Sequence, residues 1–399
     1  MNATRALTVG TALLALLATA CAAQTPAAHP AASTAASSRV RCGSAALATA
    51  GPAGSAGPAG SAGPASWPHR VLQHQNPAAS VSDQVVDTAT GVAYALVSRT
   101  RGPARGPYVL DCSTLRTGAV AQGRVFRQAS VAVAAGYLWL YGPPGQPLVR
   151  QVSPLSLAPI RSIRLPAVPT RHGQPPVAIA AGPGGSVWIG AFQTMLRVST
   201  ATGTVLARVR LSAGLALSGM SVDPAGQYLY VSLAHLVAGG IEGAAVAEYD
   251  ASSGRHLASA VSRLIADSVA GAQLTAVPGG VWVSFRTGML GLTMVLRQRD
   301  LAVLAPRHPA TVAGQPADSI FHWPMYTTTS YAGGALWLAN QVGIVACLNP
   351  LTGGVRAMER VPQAQLVYQI LAADPRSRQL FGIGAAGLLR ITPPPRCWN

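Results

Sequence analysis

Three histidines and two acids are the residues of this chain whose types best suit catalysis or metal binding. Imidazole nitrogens and carboxylate oxygens bind divalent metal ions, and the same groups transfer protons near neutral pH. An aromatic side chain next to the last histidine is suited to contacting a ligand. The candidate ligand-binding residues are His172, His235, Glu242, Asp267, His322 and Trp323.

These residues are far apart in the sequence, so they form a site only if the fold brings their loops together. Several familiar catalytic motifs are absent, including the Gly-x-Ser-x-Gly elbow, the phosphate loop and His-Glu-x-x-His. The alternative interpretation is that the candidates are solvated loop residues of a protein that is not an enzyme. No cofactor is predicted, and a divalent metal fits only if the histidines and acids converge.

The elements that would position these loops follow from an internal repeat. A small-residue turn precedes an alternating strand with a central aromatic residue, as in Gly136-Tyr-Leu-Trp139-Leu and Gly334-Ala-Leu-Trp337-Leu. A short apolar strand comes before each copy, and further strands follow it. The repeated aromatic residues are Tyr94, Trp139, Trp188, Tyr230, Trp282, Trp337 and Phe381.

This repeat predicts an all-β fold, a seven-bladed β-propeller of four-stranded blades. The aromatic residue is expected on the second strand of each blade, packed between neighbouring blades. The last copy lacks an outer strand, because Pro393-Pro394-Pro395 has no amide hydrogens with which to continue a sheet. We expect the segment from Arg70 to Gln75 to supply that strand and close the ring.

One part of the repeat resembles a known group of proteins. Tyr230-Val-Ser, with Tyr249-Asp-Ala-Ser-Ser-Gly-Arg-His-Leu-Ala downstream, resembles the repeat of YVTN-type and quinoprotein-like seven-bladed propellers. The resemblance covers residues 67–399 and implies the architecture alone, because the group contains binding scaffolds and enzymes. The histidines and acids are also similar in type to the site of streptogramin-lyase-type propellers. No local motif matches, so no residue role follows from that similarity.

The N-terminus has the pattern of an export signal. Arg5 precedes an apolar run from Ala6 to Leu17, which is shorter than the roughly 20 residues that span a bilayer. Leu17-Ala18-Thr19-Ala20-Cys21 resembles a bacterial lipobox, which implies lipidation of Cys21 by acyl chains such as palmitate. The alternative is an ordinary signal peptide that is cut after Ala20. The lipobox interpretation places the protein on the extracytoplasmic face of the cell membrane.

Three segments are therefore expected. Residues 1–20 form a lipoprotein signal peptide, and residues 21–66 contain the lipidated cysteine and a disordered tether. The tether is rich in Ala, Pro, Gly and Ser, and such a composition buries too little apolar surface to offset the entropy lost on folding. Residues 67–399 form the propeller.

Four cysteines besides Cys21 suit an oxidising compartment, because an even number permits two disulfides. We expect Cys397 to reach either Cys112 or Cys347, and Cys42 to pair with the remaining one. A bridge from Cys112 to Cys347 would have to cross a blade.

The charge balance points to anionic partners. All 29 basic residues other than histidine are arginines, against 12 acids, and the formal net charge is +17. Anionic lipid headgroups or an acidic wall polymer would attract such a protein. The alternative is a compositional bias of the genome, since the arginines are scattered along the chain. Export argues against a nucleic-acid partner.

Two functions remain. The first is a binding or scaffold module for an envelope protein or ligand, in which the aromatic stretch 306–329 is a candidate contact loop. The alternative is a metal-dependent lyase or hydrolase with its histidines and acids at the channel mouth.

Overall fold

The computed structural model describes most of the segment that carries the repeat. The described residues are 66–74, 80–98, 107–121, 123–142, 148–166, 177–237, 240–260, 272–287, 290–305, 327–340, 343–361, 371–384 and 387–398. All of them belong to one unit of the chain, residues 39–399. Within these residues, no helix is long and apolar enough to cross a bilayer.

The described part of the chain consists almost entirely of β-strands. The first fourteen are β1 His69–His74, β2 Ser80–Asp87, β3 Val92–Ser98, β4 Tyr108–Thr114, β5 Val120–Ala121, β6 Val125–Phe126, β7 Ser130–Ala134, β8 Tyr137–Tyr141, β9 Leu148–Val152, β10 Pro159–Arg164, β11 Val177–Gly182, β12 Ser186–Ala191, β13 Thr194–Ser199 and β14 Val205–Arg210.

Fifteen strands follow. They are β15 Leu215–Val222, β16 Tyr228–Val237, β17 Gly240–Asp250, β18 His256–Ala260, β19 Ala272–Val277, β20 Gly280–Thr287, β21 Leu290–Arg297, β22 Val303–Ala305, β23 Thr327–Ala332, β24 Ala335–Asn340, β25 Ile344–Leu348, β26 Val355–Arg360, β27 Leu371–Asp374, β28 Gln379–Gly384 and β29 Gly387–Ile391. A short 3₁₀ helix, Pro395–Cys397, ends the described chain.

The strands form seven antiparallel sheets, which confirms the predicted seven-bladed propeller. Blade 1 contains β2 to β6, and blades 2 to 6 each contain the next four strands in order. Blade 7 contains β27, β28, β29 and β1. The inner strands β2, β7, β11, β15, β19, β23 and β27 contact one another in sequence, and β27 contacts β2, so the ring closes.

Ring closure follows the expected route. Strand β1 pairs antiparallel with β29, with His69 opposite Ile391 and His74 opposite Gly387. The prediction placed this strand one residue further along the chain. Just beyond the pair, the Thr392 amide donates to the carbonyl of Pro68 before the prolines end the sheet. The N-terminal strand therefore completes the last blade.

The outer strand of blade 1 departs from the regular pattern. It is split into β5 and β6, and both pair with β4. Gly123 lies between them, and a Cβ atom there would be 1.6 Å from the carbonyl oxygen of Leu110. Only glycine permits so close an approach of the two backbones, and the chain kinks at that point.

The repeated aromatic residues hold the blades together, as predicted. All seven lie on the second strand of a blade and are buried. Three of them donate a hydrogen bond to a carbonyl in the outer turn of the next blade. These bonds join Tyr94 to Pro154 (2.9 Å), Trp188 to Ala251 (2.9 Å) and Trp282 to Pro350 (2.6 Å). At these three contacts, apolar packing between neighbouring blades is combined with a directed polar contact.

Candidate functional site

The predicted histidine and acid set lies mostly outside the described residues. His172, Asp267, His322 and Trp323 are not among them. His235 is exposed near the end of β16, and its backbone is paired in register with that of Glu242 on β17. In the described part of the chain, no group of three or more His, Cys, Asp or Glu residues could hold a metal ion. Convergence of the whole set stays a prediction.

Among the described residues, two adjoining recesses lie at the end of the ring where inner strands turn into second strands. The first, about 510 Å³, lies between the ends of β15, β19 and β23. The second, about 450 Å³, lies between the ends of β11 and β15. Both are lined by Ser221, Val222 and Pro224. Volumes of this size suit a small molecule.

Hydroxyl groups line the first recess and connect the inner strands of blades 4, 5 and 6. The Ser221 hydroxyl accepts a hydrogen bond from the Ala276 amide at 2.9 Å. The hydroxyl oxygens of Thr275 and Thr329 are 2.8 Å apart, and Thr275 also donates to the Thr329 carbonyl. The half-buried ring of Tyr331 forms another part of the wall. Such a wall suits neutral polar groups of a ligand.

The carboxylate beside the second recess is occupied by its own turn. Asp223 accepts hydrogen bonds from the amides of Gln227 at 2.6 Å, Tyr228 at 2.7 Å and Ala225 at 3.2 Å. It lies at the end of the inner strand of blade 4, where these bonds stabilise the turn. Among the described residues that line the recesses, it is the one carboxylate. The carboxylate of Asp223 therefore serves the turn and is not presented to a ligand in the recess.

A buried polar pair links blade 4 to blade 5 away from the channel. Glu248 is fully buried and accepts a hydrogen bond from the Arg299 amide at 2.9 Å. Its other oxygen and the hydroxyl of its cross-strand neighbour Tyr230 are buried without a well-aligned hydrogen bond among the described residues, and burial and the nearby carboxylate raise the pKa of Tyr230. Burial raises the pKa of Glu248, and the charges of Asp223 and Asp300 act in the same direction, against the Arg299 contact.

Two cysteines and a tryptophan fix the C-terminus to blade 6. Cys347 on β25 and Cys397 in the 3₁₀ helix are joined as a disulfide, with their Cα atoms 5.7 Å apart. The ring of Trp398 packs against that of Trp337 with centroids 4.6 Å apart. Cys112 is also disulfide-bonded, and its partner lies outside the described residues, as do Cys21 and Cys42.

The charges on the ring are strongly asymmetric. Residues 112–222 contain no Asp or Glu but ten arginines. This stretch includes all of blades 2 and 3 and the outer part of blade 1. The sequence interpretation of scattered arginines overlooked this segregation, because it considered the arginines and not the gaps between the acids.

Exposed apolar side chains concentrate on the same three blades. Of the eight large hydrophobic residues exposed in the described chain, six lie in blades 1 to 3 at or beside the outer strands. These six are Val120, Val125, Leu155, Ile160, Val205 and Leu206. Five arginines on or next to those outer strands are also exposed, namely Arg124, Arg127, Arg164, Arg208 and Arg210. We call these eleven side chains together the rim surface.

Comparisons with known proteins support the fold. No family model and no curated protein matches the chain. The structures that resemble it include BamB from Moraxella catarrhalis (TM-score 0.49, 16% identity, 78% of this chain and 84% of that chain covered). Another is the Pan2 WD40 domain of Neurospora crassa (TM-score 0.53, 13% identity, 79% and 90% covered). At this identity the likeness to the WD40 domain shows a shared propeller fold and no more.

Proposed function

We propose that this chain is a lipid-anchored, extracytoplasmic propeller that acts as a binding or scaffold module in the cell envelope. In this proposal, Cys21 carries the acyl chains, residues 22–66 are the tether and residues 67–399 are the binding domain. The proposal also assigns the chain to the YVTN-type or quinoprotein-like propellers that its repeat resembles. The lipobox-like stretch Leu17-Ala18-Thr19-Ala20-Cys21 supports the anchor.

The rim surface is the observation that carries the binding function. Soluble proteins rarely concentrate exposed aliphatic side chains on one side, and such patches often mark a surface for a partner. Here they coincide with exposed arginines and with a segment that lacks acids. An envelope protein, an anionic wall polymer or anionic lipid headgroups fit these properties as a binding partner.

The anchor is tested by metabolic labelling of the full chain with a palmitate analogue in a bacterial host. We expect label on the wild-type chain and its recovery in the membrane fraction. Cys21→Ser should abolish the label, whereas Cys42→Ser, the matched control, should retain it. Equal labelling of the wild type and Cys21→Ser, or no label on either, would overturn the anchor.

The second candidate function is a metal-dependent lyase or hydrolase. One observation favours it, namely that His235 and Glu242 occupy partner positions across the β16–β17 pair. Elemental analysis of the full chain, prepared without a histidine tag, tests it. One stoichiometric divalent ion, lost in a His235→Ala/His322→Ala double variant, would support a metal enzyme. A folded, metal-free chain would count against it.

A further inference from the structure

We propose that the rim surface of blades 1 to 3 lies on the anionic phospholipid headgroups of the membrane. This inference rests on the proposed function, because it names the surface that the anchored propeller binds. It follows from two independent properties of the same blades. One is the lack of acids between residues 112 and 222, and the other is the concentration of exposed aliphatic side chains.

Arginines of two neighbouring blades face the boundary between blades 2 and 3. Register pairs Arg208 with Leu196, and Leu196 packs into the core between blades 2 and 3, so Arg208 lies on the face of blade 3 that is turned to blade 2. From blade 2, Arg161 reaches across and donates to the Ala201 carbonyl of blade 3 at 2.6 Å. Blades 2 and 3 therefore each place an arginine at the boundary between them, Arg161 at the turn that follows β13 and Arg208 on β14. A guanidinium group binds phosphate oxygens in a bidentate way, so this boundary suits phosphate groups.

The aliphatic side chains favour a membrane over a soluble polyanion as the partner of the rim surface. Val205 and Leu206 are 48% and 51% exposed at the start of β14, and Arg208 and Arg210 follow on the same strand. The strand β10 has the same arrangement, with Ile160 exposed before Arg164. Apolar side chains that lie beside cationic ones are stabilised at the boundary between headgroups and acyl chains. A hydrated polymer in solution offers them no comparable apolar phase.

Contact through the rim fixes how the propeller is oriented. The outer strands of three adjacent blades face the membrane, so the channel axis runs parallel to the membrane plane. Both ends of the channel, including the recesses at Ser221, then open sideways along the membrane. A lipid-anchored propeller in this orientation leaves the outer edges of blades 4 to 6 free for other contacts.

The test measures binding of the full chain to vesicles. All samples carry Cys21→Ser, so that no lipid on that residue contributes and the outcome is independent of the anchor. We expect tight binding to vesicles of phosphatidylcholine with phosphatidylglycerol and weak binding to phosphatidylcholine alone. Arg208→Gln/Arg210→Gln should weaken binding about 25-fold, since each arginine near an anionic bilayer contributes roughly fivefold. Arg208 and Arg210 are exposed, as are the two arginines of the control variant described next, so both variants should fold.

The matched control is Arg255→Gln/Arg360→Gln, which removes the same charge from exposed positions on blades 4 and 6. It should bind like the wild type. Equal weakening by both pairs, or equal binding to both kinds of vesicle, would overturn the rim surface as the contact. Val205→Ser/Leu206→Ser should also weaken vesicle binding. If that variant has no effect, and soluble polyphosphate binds the chain as tightly as the anionic vesicles do, the partner is a polyanion and not a bilayer.

Discussion

Replacing the buried Glu248 by glutamine should stabilise the propeller at neutral pH. In the wild type, one carboxylate oxygen is buried without a well-aligned hydrogen bond among the described residues. The hydroxyl of Tyr230 on the paired strand is also buried without one. Glutamine has the same shape. Its oxygen can keep the Arg299 amide contact, which is 2.9 Å long in the wild type, and its amide can donate to the Tyr230 hydroxyl.

The expected gain has two parts. A new hydrogen bond between neutral groups contributes about 0.5–1.5 kcal/mol to stability. Removing a buried charge adds to this, because burial raises the pKa of Glu248 and the ionised form is therefore unfavourable in the folded state. Each tenfold change in proton affinity between the folded and unfolded states corresponds to about 1.4 kcal/mol. We expect a total gain of about 1–3 kcal/mol in the free energy of unfolding at pH 8.

The raised pKa of Glu248 determines how the stability gain of Glu248→Gln depends on pH. A carboxyl whose pKa is raised in the folded state stabilises the fold below the unfolded pKa, near 4.5. That contribution is lost as the pH rises through the folded pKa. The difference between Glu248→Gln and wild type should therefore be small in acid and grow towards pH 8. Urea unfolding at a series of fixed pH values measures it.

Tyr230→Phe is the matched test of the new hydrogen bond. It should cost about 1 kcal/mol more in the Glu248→Gln background than in the wild type, where the hydroxyl lies beside the carboxylate without a well-aligned hydrogen bond. If Glu248→Gln instead lowers the stability by the same amount at every pH, the carboxylate is a required partner in the blade 4–5 contact. The reasoning about its burial would then be wrong.

Three further predictions concern the contacts between blades, each measured by the free energy of unfolding in urea. Trp282→Phe should cost about 2–4 kcal/mol, because it removes the hydrogen bond to Pro350 in the next blade and leaves a cavity. The control is Trp139→Phe, whose indole donates within its own blade, and a smaller loss for Trp282→Phe than for this control would contradict the prediction. Gly254→Ala should cost about 1–3 kcal/mol, since φ is +76° and the new Cβ would lie 2.5 Å from Val209; Gly91→Ala, with φ +71° and open space, should cost less. Cys397→Ser should cost about 2–4 kcal/mol in oxidising buffer and little in reducing buffer, because the bridge closes a long loop between cysteines with a sequence separation of 50. An equal loss in both buffers would show that packing, not the bridge, is responsible.

The fold could be predicted from the sequence because the repeat reflects two local structural requirements of each blade. Each second strand needs a large aromatic side chain, as at Trp188 and Trp282, to fill the space between blades. Each outer turn needs side-chain acceptors for its amides, as Asp250 and Asn349 provide. Ring closure was predictable because the three prolines exclude a further strand. The split outer strand of blade 1 was not, since the contact of Gly123 with Leu110 depends on the tertiary fold.

The candidate site was predictable only in part. His235 and Glu242 lie opposite each other on the paired strands β16 and β17, and the other members of that set lie outside the described residues, so the site as a whole stays a prediction. The rim surface was overlooked for a physical reason. Side chains of a strand such as Val205–Arg210 alternate between its two faces. This pattern does not show which side chains of an outer strand stay exposed. The acid-free segment was readable from the sequence and would have indicated the side of the ring.

Hydrogen exchange of the full chain tests most directly whether an anchored propeller contacts the membrane through its rim. Exchange is compared between the membrane-bound wild type and Cys21→Ser in solution. Amides of the outer strands β10 and β14 should exchange more slowly in the membrane-bound chain, and those of β22 and β26 on the opposite side should not change. Equal exchange in the two states at β10 and β14, with the chain recovered in the membrane fraction, would contradict contact through the rim.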